Sequence, residues 1–129
     1  MAERLVIETS VLVDYQRRVP AARIVVDKLA EKDAVTVHPV SAAEMLVGAR
    51  DQPNMLETLR FLASFHRLIV KPSDHERCLL LVAEYRLSHG IGWPDCLIAA
   101  TCIRLALPLV TLNDKHFRPI RGLRVVRPY

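Results

Sequence analysis

Glycine, cysteine and aromatic residues are all scarce in this 129-residue chain: four glycines, three cysteines, and 5% aromatics including a single tryptophan. So few glycines, with no Gly-x-Gly-x-x-Gly or Walker pattern, exclude a glycine-rich loop that cradles phosphates through backbone N–H groups. No Gly-x-Ser-x-Gly elbow is present, so Ser10 and the five histidines do not make a hydrolase of that type. Cys78, Cys96 and Cys102 are odd in number, match no zinc or redox spacing and fall in apolar helical patterns, which predicts buried free thiols in a reducing compartment. No apolar run reaches the roughly 18 residues that cross a bilayer, so no membrane partner is expected. Met1–Ile7 lacks a basic lead followed by a long apolar stretch, and a cytoplasmic protein without a secretory leader is the expectation.

Apolar residues, by contrast, make up 51% of the chain, and 129 residues are enough to bury one core without disulfides or a structural metal. Eighteen basic residues against 14 acidic ones give a net charge of +4, which leans toward a polyanionic partner. Short apolar runs at Leu5–Ile7, Ala34–Val37, Leu68–Val70, Leu109–Thr111 and Leu123–Val126 read as about five strands. Helical periodicity lies between them, with starts expected at Ser10, Ser41 and Ser73 as capping residues and at Pro94 in a first turn. Apolar strands alternating with helices predict an α/β fold, a single domain over 1–129, with a mostly parallel sheet covered on both faces.

In such sheets ligands bind beyond the carboxyl ends of the strands. Four acids stand there: Glu8 after the first strand, Glu44 on the helix after the second, Asp95 in the turn opened by Pro94, and Asp114 after the fourth. Together they would repel one another, and a hard divalent cation, Mg²⁺ or Mn²⁺, removes that conflict. Each acid also has a structural role open to it. Glu44 follows Ser41 at capping-box spacing, Asp95 complements a helix dipole, and Asp114 suits a turn. Arg17, Arg18, Arg50, Arg118, Arg121 and Arg124 offer positive charge for a nucleic-acid backbone, Arg50 being nearest in sequence to Glu44; His38 and His116 lie near the same strand ends.

Three segments carry a resemblance to a known family. Leu5-Val6-Ile7-Glu8-Thr9-Ser10-Val11-Leu12-Val13-Asp14-Tyr15, Val40-Ser41-Ala42-Ala43-Glu44-Met45-Leu46-Val47-Gly48, and Pro94–Thr101 followed by Leu109–Phe117 resemble, in order, the acidic motifs of PIN domains, particularly VapC-type toxins. The resemblance implies a PIN-like domain and a metal-dependent endoribonuclease that hydrolyses RNA by metal-activated water. It also implies a cognate antitoxin and a homodimer. By position it makes Glu8, Glu44 and Asp95 the metal-site acids, with Ser10 and Thr111 as polar neighbours. The fourth place falls on Asn113 or its charged neighbour Asp114; Asp114 is preferred for its charge. The first acid of the family is normally aspartate, whereas this chain has Glu8. A second reading follows from that difference: a PIN-like module that binds RNA or protein and cleaves weakly.

Overall fold

The computed structural model describes residues 3–129; Met1 and Ala2, the start of the segment read for a leader, lie outside them. The elements run β1 (Leu5–Ile7), α1 (Thr9–Gln16), α2 (Pro20–Glu31), β2 (Val35–Val37), α3 (Pro39–Val47), α4 (Gln52–Ala63), β3 (His66–Arg67), α5 (Pro72–His89), α6 (Trp93–Leu105), β4 (Leu109–Val110), α7 (Asp114–Phe117) and β5 (Val125–Val126). The five strands form one sheet in the order β3-β2-β1-β4-β5, and every neighbouring pair is parallel. Among the described residues, no helix is long and apolar enough to cross a membrane.

Side chains that alternate along each strand explain why the strands carry no alternating polarity. Val6 and Leu109 enter the core shared with α5 and α6, while their neighbours Ile7 and Val110 enter the core shared with α1 to α4. Both sheet faces are covered, so consecutive residues must all be apolar. The three cysteines are buried and free, as their setting predicted. Burial pushes the thiols up, to about 11 at Cys96 and about 12 at Cys102. Neither is a nucleophile near neutral pH.

The third strand corrects the sequence reading. Leu68–Val70 is expected to pair, but the strand is His66–Arg67, in register with Thr36 and Val37, and of the expected run Leu68 contributes its N–H to Val37 O at 3.0 Å. β3 lies at the sheet's edge, where polar residues are tolerated, and His66 meets Asp33 at 2.8 Å. Beyond it the apolar run anchors the exit from the sheet: Leu68 is buried and Val70 packs on the core, while Ile69 is 77% exposed. β1 has the expected bounds, β2, β4 and β5 are one or two residues shorter than expected, and the four-residue α7 has no counterpart in the sequence reading.

Helix starts moved as well. α3 begins at Pro39, not at Ser41, because the His38 ring accepts the Val40 N–H at 3.0 Å and caps the helix. α1 begins at Thr9, and α5 at Pro72 with the Asp74 carboxylate accepting the Lys71 N–H at 2.9 Å. At its far end α5 closes on Gly90 with φ 69°, a left-handed conformation that glycine adopts without cost. α6 closes on Ala106 with φ 53°, where a Cβ is unfavourable, and this residue is exposed. Ala106→Gly is expected to raise stability by about 0.5–1 kcal/mol. A urea midpoint that moves up at unchanged slope would show it, and a drop would mean the methyl group has a packing role.

Candidate active site

The chain order turns back at the middle of the sheet: β1 to β3 grow in one direction, then β4 returns to pair with the free side of β1. A crevice opens at such a switch point, beyond the carboxyl ends of the strands. Glu8 and Thr111, the residues that follow β1 and β4, face each other there. The Glu8 N–H donates to Val110 O at 2.9 Å and holds the acid at the sheet edge. Although Glu8 occupies the cap position of α1, its side chain makes no capping bond and turns into the crevice, where it is 5% exposed.

Two hydroxyls orient that carboxylate. Ser10 Oγ and Thr111 Oγ1 each lie 2.6 Å from Glu8 Oε1. Each hydroxyl oxygen also accepts a backbone N–H, Ser10 from Leu112 at 3.0 Å and Thr111 from Asn113 at 2.9 Å. With a lone pair of each oxygen so occupied, the single hydroxyl proton of each is directed at Glu8. Ser10 is therefore a partner of the acid in the first turn of α1, and its expected capping role is replaced by this one.

Glu44 lies in the interior of α3, freed from a capping box by the earlier helix start. Thr9 Oγ1 donates to its Oε1 at 3.0 Å. Desolvation by its neighbours raises the Glu44 carboxyl above the usual range; the Thr9 bond opposes this, and the charges of Asp95 and Glu8 add to it. Asp95, in the first turn of α6, contacts His116 Nε2 at 3.0 Å. Its carboxyl is also raised, first by burial, then by Glu8, with His116 pulling the other way. Three acids thus share one field. Among the described residues, no lysine or arginine pairs with any of them.

Asp114 stands apart from the trio. Arg127 Nη1 reaches its Oδ1 at 2.9 Å and Arg118 Nε its Oδ2 at 3.2 Å, and Arg127 in particular holds this carboxyl below its usual range. Its charge is compensated where those of Glu8, Glu44 and Asp95 are not. Asn113 is exposed, and its N–H supports Thr111. His38 is fully buried between Thr101 and Val40, so it is a structural histidine, while His116 belongs with Asp95. Arg17 and Arg50 line a cavity of about 250 Å³ that Glu44 also borders. Arg124 is engaged by Glu3 and the Ala106 carbonyl. Thr9 and Arg127 were missed in the sequence: a threonine beside Glu8 looks like a turn residue, and nothing in the spacing ties Arg127 to Asp114.

The donor set suits a hard cation: carboxylate and hydroxyl oxygens, concentrated negative charge and no competing ammonium or guanidinium group. Among the described residues, no three acidic, histidine or cysteine side chains are already gathered as a metal-holding group.

A family model described as PIN domain matches residues 5–123. Ribonuclease VapC10 of Mycobacterium tuberculosis is 35% identical over 124 residues, covering 93% of this chain and 90% of that protein. Ribonuclease VapC of Rickettsia bellii is 27% identical, covering 95% and 94%. Among solved structures, a toxin-antitoxin complex from Klebsiella pneumoniae superposes with a TM-score of 0.77 at 25% identity, covering 97% of this chain and 98% of that one. VapBC2 from Rickettsia felis, bound to a DNA fragment from its promoter, gives 0.79 at 22% identity over 95% and 96%. With a family model spanning nearly all of the sheet and a relative matched along almost its whole length, the chain belongs to the PIN-domain family and resembles its VapC members throughout.

Proposed function

We propose that the chain is an endoribonuclease of the VapC toxin type that hydrolyses RNA phosphodiester bonds with Mg²⁺ or Mn²⁺. The observation that carries this reading is the trio of uncompensated acids, Glu8, Glu44 and Asp95, at the switch point of the sheet. They would hold the cation, which supplies positive charge to the reacting phosphate and acidifies water. Around it the chain's own groups have separate tasks. Ser10 and Thr111 fix the Glu8 carboxylate, Thr9 fixes Glu44, and His116 fixes Asp95. Arg17 and Arg50 offer cationic contacts to the RNA backbone on the far side of Glu44. In hydrolysis a water oxygen bonds to phosphorus, one P–O bond breaks, and the leaving oxygen takes a proton. Asp114, compensated by two arginines, is assigned to holding Arg118 and Arg127 beside the site and is the weakest of the four candidate ligands; Asn113 supports Thr111.

The relatives' names and the toxin-antitoxin structures support the same assignment, with a cognate antitoxin, a homodimer and a cytoplasmic setting as its expected context. The test is cleavage of a single-stranded RNA panel with Mg²⁺ or Mn²⁺, with DNA of the same sequences as control. Asp95→Asn is expected to lower the rate at least a hundredfold, as loss of a group on which electrostatic catalysis depends does. Robust cleavage unaffected by that change would sink the assignment. Glu8 supports the second reading, a weakly cleaving module, because it stands where the family has aspartate. A large gain of activity on Glu8→Asp would favour that reading.

A further inference from the structure

Trp93, the chain's single tryptophan, is 63% exposed. Its backbone is nevertheless held firmly. Ile91 and Cys96 on either side of it are fully buried, and Cys78 Sγ donates to the Trp93 carbonyl at 3.4 Å. A large aromatic ring fixed at its base and left in water forgoes the burial that such rings usually obtain. The ring stands two residues from Asp95 and lines an apolar groove of about 420 Å³ with Val40, Ala43, Val47 and Pro94. Val47 is itself 86% exposed. The remaining wall is Glu44, one of the three acids, which also borders the arginine-lined cavity on its other side.

We infer that Trp93 is a substrate-positioning residue that stacks a nucleobase beside the scissile phosphodiester, an inference that rests on the ribonuclease reading. Glu44 forms a wall of both cavities. A strand with one phosphate at the acids and backbone contacts at Arg17 and Arg50 therefore leads its next base onto the indole. Base–aromatic stacking is tolerant of sequence because every base has a π-face. Apart from Glu44 the groove offers no polar side chain with which to read a base edge. Trp93 therefore governs how tightly RNA is held, and the choice of sequence is made elsewhere.

The single tryptophan gives a readout that does not depend on cleavage. The full chain carrying Asp95→Asn, which keeps the RNA intact, is titrated in Mg²⁺ with a short random-sequence single-stranded RNA and with an abasic ribose-phosphate chain of equal length. The RNA is expected to quench and shift Trp93 emission, and the abasic chain is not. In the otherwise unchanged protein, Trp93→Ala is expected to raise KM on the order of tenfold with kcat nearly unchanged, and Trp93→Phe to restore most of the loss. If Trp93→Ala fails to fold, the emission titration and Trp93→Phe still decide. RNA that binds by anisotropy without altering emission, or a Trp93→Ala protein with unchanged KM, overturns the inference and leaves the ribonuclease reading intact. So does an indole whose emission tracks protein concentration rather than RNA, with Trp93→Ala dissociating a dimer; the groove would then be an interface between copies. Quenching by RNA in a protein that cleaves none would overturn the ribonuclease reading and keep the stacking platform.

Discussion

On acidification from pH 6.5 to about pH 4, the protein is expected to lose about 3 kcal/mol of folding stability through His38 alone. His38 is fully buried, and burial lowers its pKa from 6.5 to about 4, with the charge of Asp74 opposing the fall. Its hydrogen bonds require the neutral ring. Nδ1 accepts the Val40 N–H at 3.0 Å, so it carries no proton, and Nε2 donates to Thr101 Oγ1 at 3.0 Å. The Thr101 hydroxyl passes its own proton to Leu97 O at 3.0 Å. Protonating Nδ1 breaks the cap of α3 and places a charge in the core. A histidine whose folded pKa is depressed contributes stability that is full above its ordinary value and is lost as pH falls toward the folded one. The window is therefore pH 6.5 down to about 4, at about 1.4 kcal/mol per pH unit.

The check is urea unfolding across that range, with His38→Asn beside the natural protein. Asparagine can cap α3 but does not titrate, so the variant should be weaker at neutral pH and lack this part of the acid slope. The raised carboxyls of Glu44 and Asp95 act in the opposite sense as the pH falls, so the difference between the two proteins is the quantity to read. Equal slopes would show that His38 is not the group responsible.

The sheet and the acid trio were legible in the sequence because both depend on local pattern. Runs such as Leu5–Ile7 must be apolar throughout when two helical layers cover them, and the residue after a strand must lie at the sheet's edge. What the sequence hid depends on distant partners. Leu68–Val70 has a strand's composition, but pairing is set by what lies opposite Thr36 and Val37, which is His66 and Arg67. Ser41 and Glu44 have capping-box spacing, yet a proline at 39 and a ring at 38 started the helix earlier, leaving Ser41 Oγ buried without a hydrogen-bond partner. Charge alone favours Asp114 over Asn113 in the sequence, and that charge draws Arg118 and Arg127 onto it. The positions of the site follow from chain order; its electrostatic balance follows from residues up to 13 positions away from Asp114 and from Glu8's contact with Thr111, 103 positions away.

The same substitution that should abolish cleavage, Asp95→Asn, is expected to stabilise the protein in the absence of metal. The Asp95 carboxyl is raised by burial and by Glu8, which means that folding disfavours its charged form. A group raised in the folded state contributes stability present below its unfolded value, near 4 for aspartate, and lost as pH rises through the folded one. At neutral pH the natural protein therefore carries this cost, and an asparagine of the same shape does not. It also keeps an oxygen for His116. Relief of one strained functional charge falls in the usual range for such changes, about 0.5–2 kcal/mol, or a rise in Tm of roughly 2–10 °C for a chain of this size. Acidifying the natural protein should narrow the gap, because protonation makes Asp95 neutral as well. Added Mg²⁺ or Mn²⁺ should reverse the order, because a cation held by Glu8, Glu44 and Asp95 is bound more tightly by the natural protein than by the variant, and binding stabilises by about 2.7 kcal/mol at a hundred times the Kd. Thermal melts of both proteins, with chelator and with either metal, separate the two causes of repulsion and its relief. A natural protein that melts no higher with metal, or an asparagine variant less stable than it in chelator, would mean that the three acids do not share the unpaid charge on which the proposed chemistry depends.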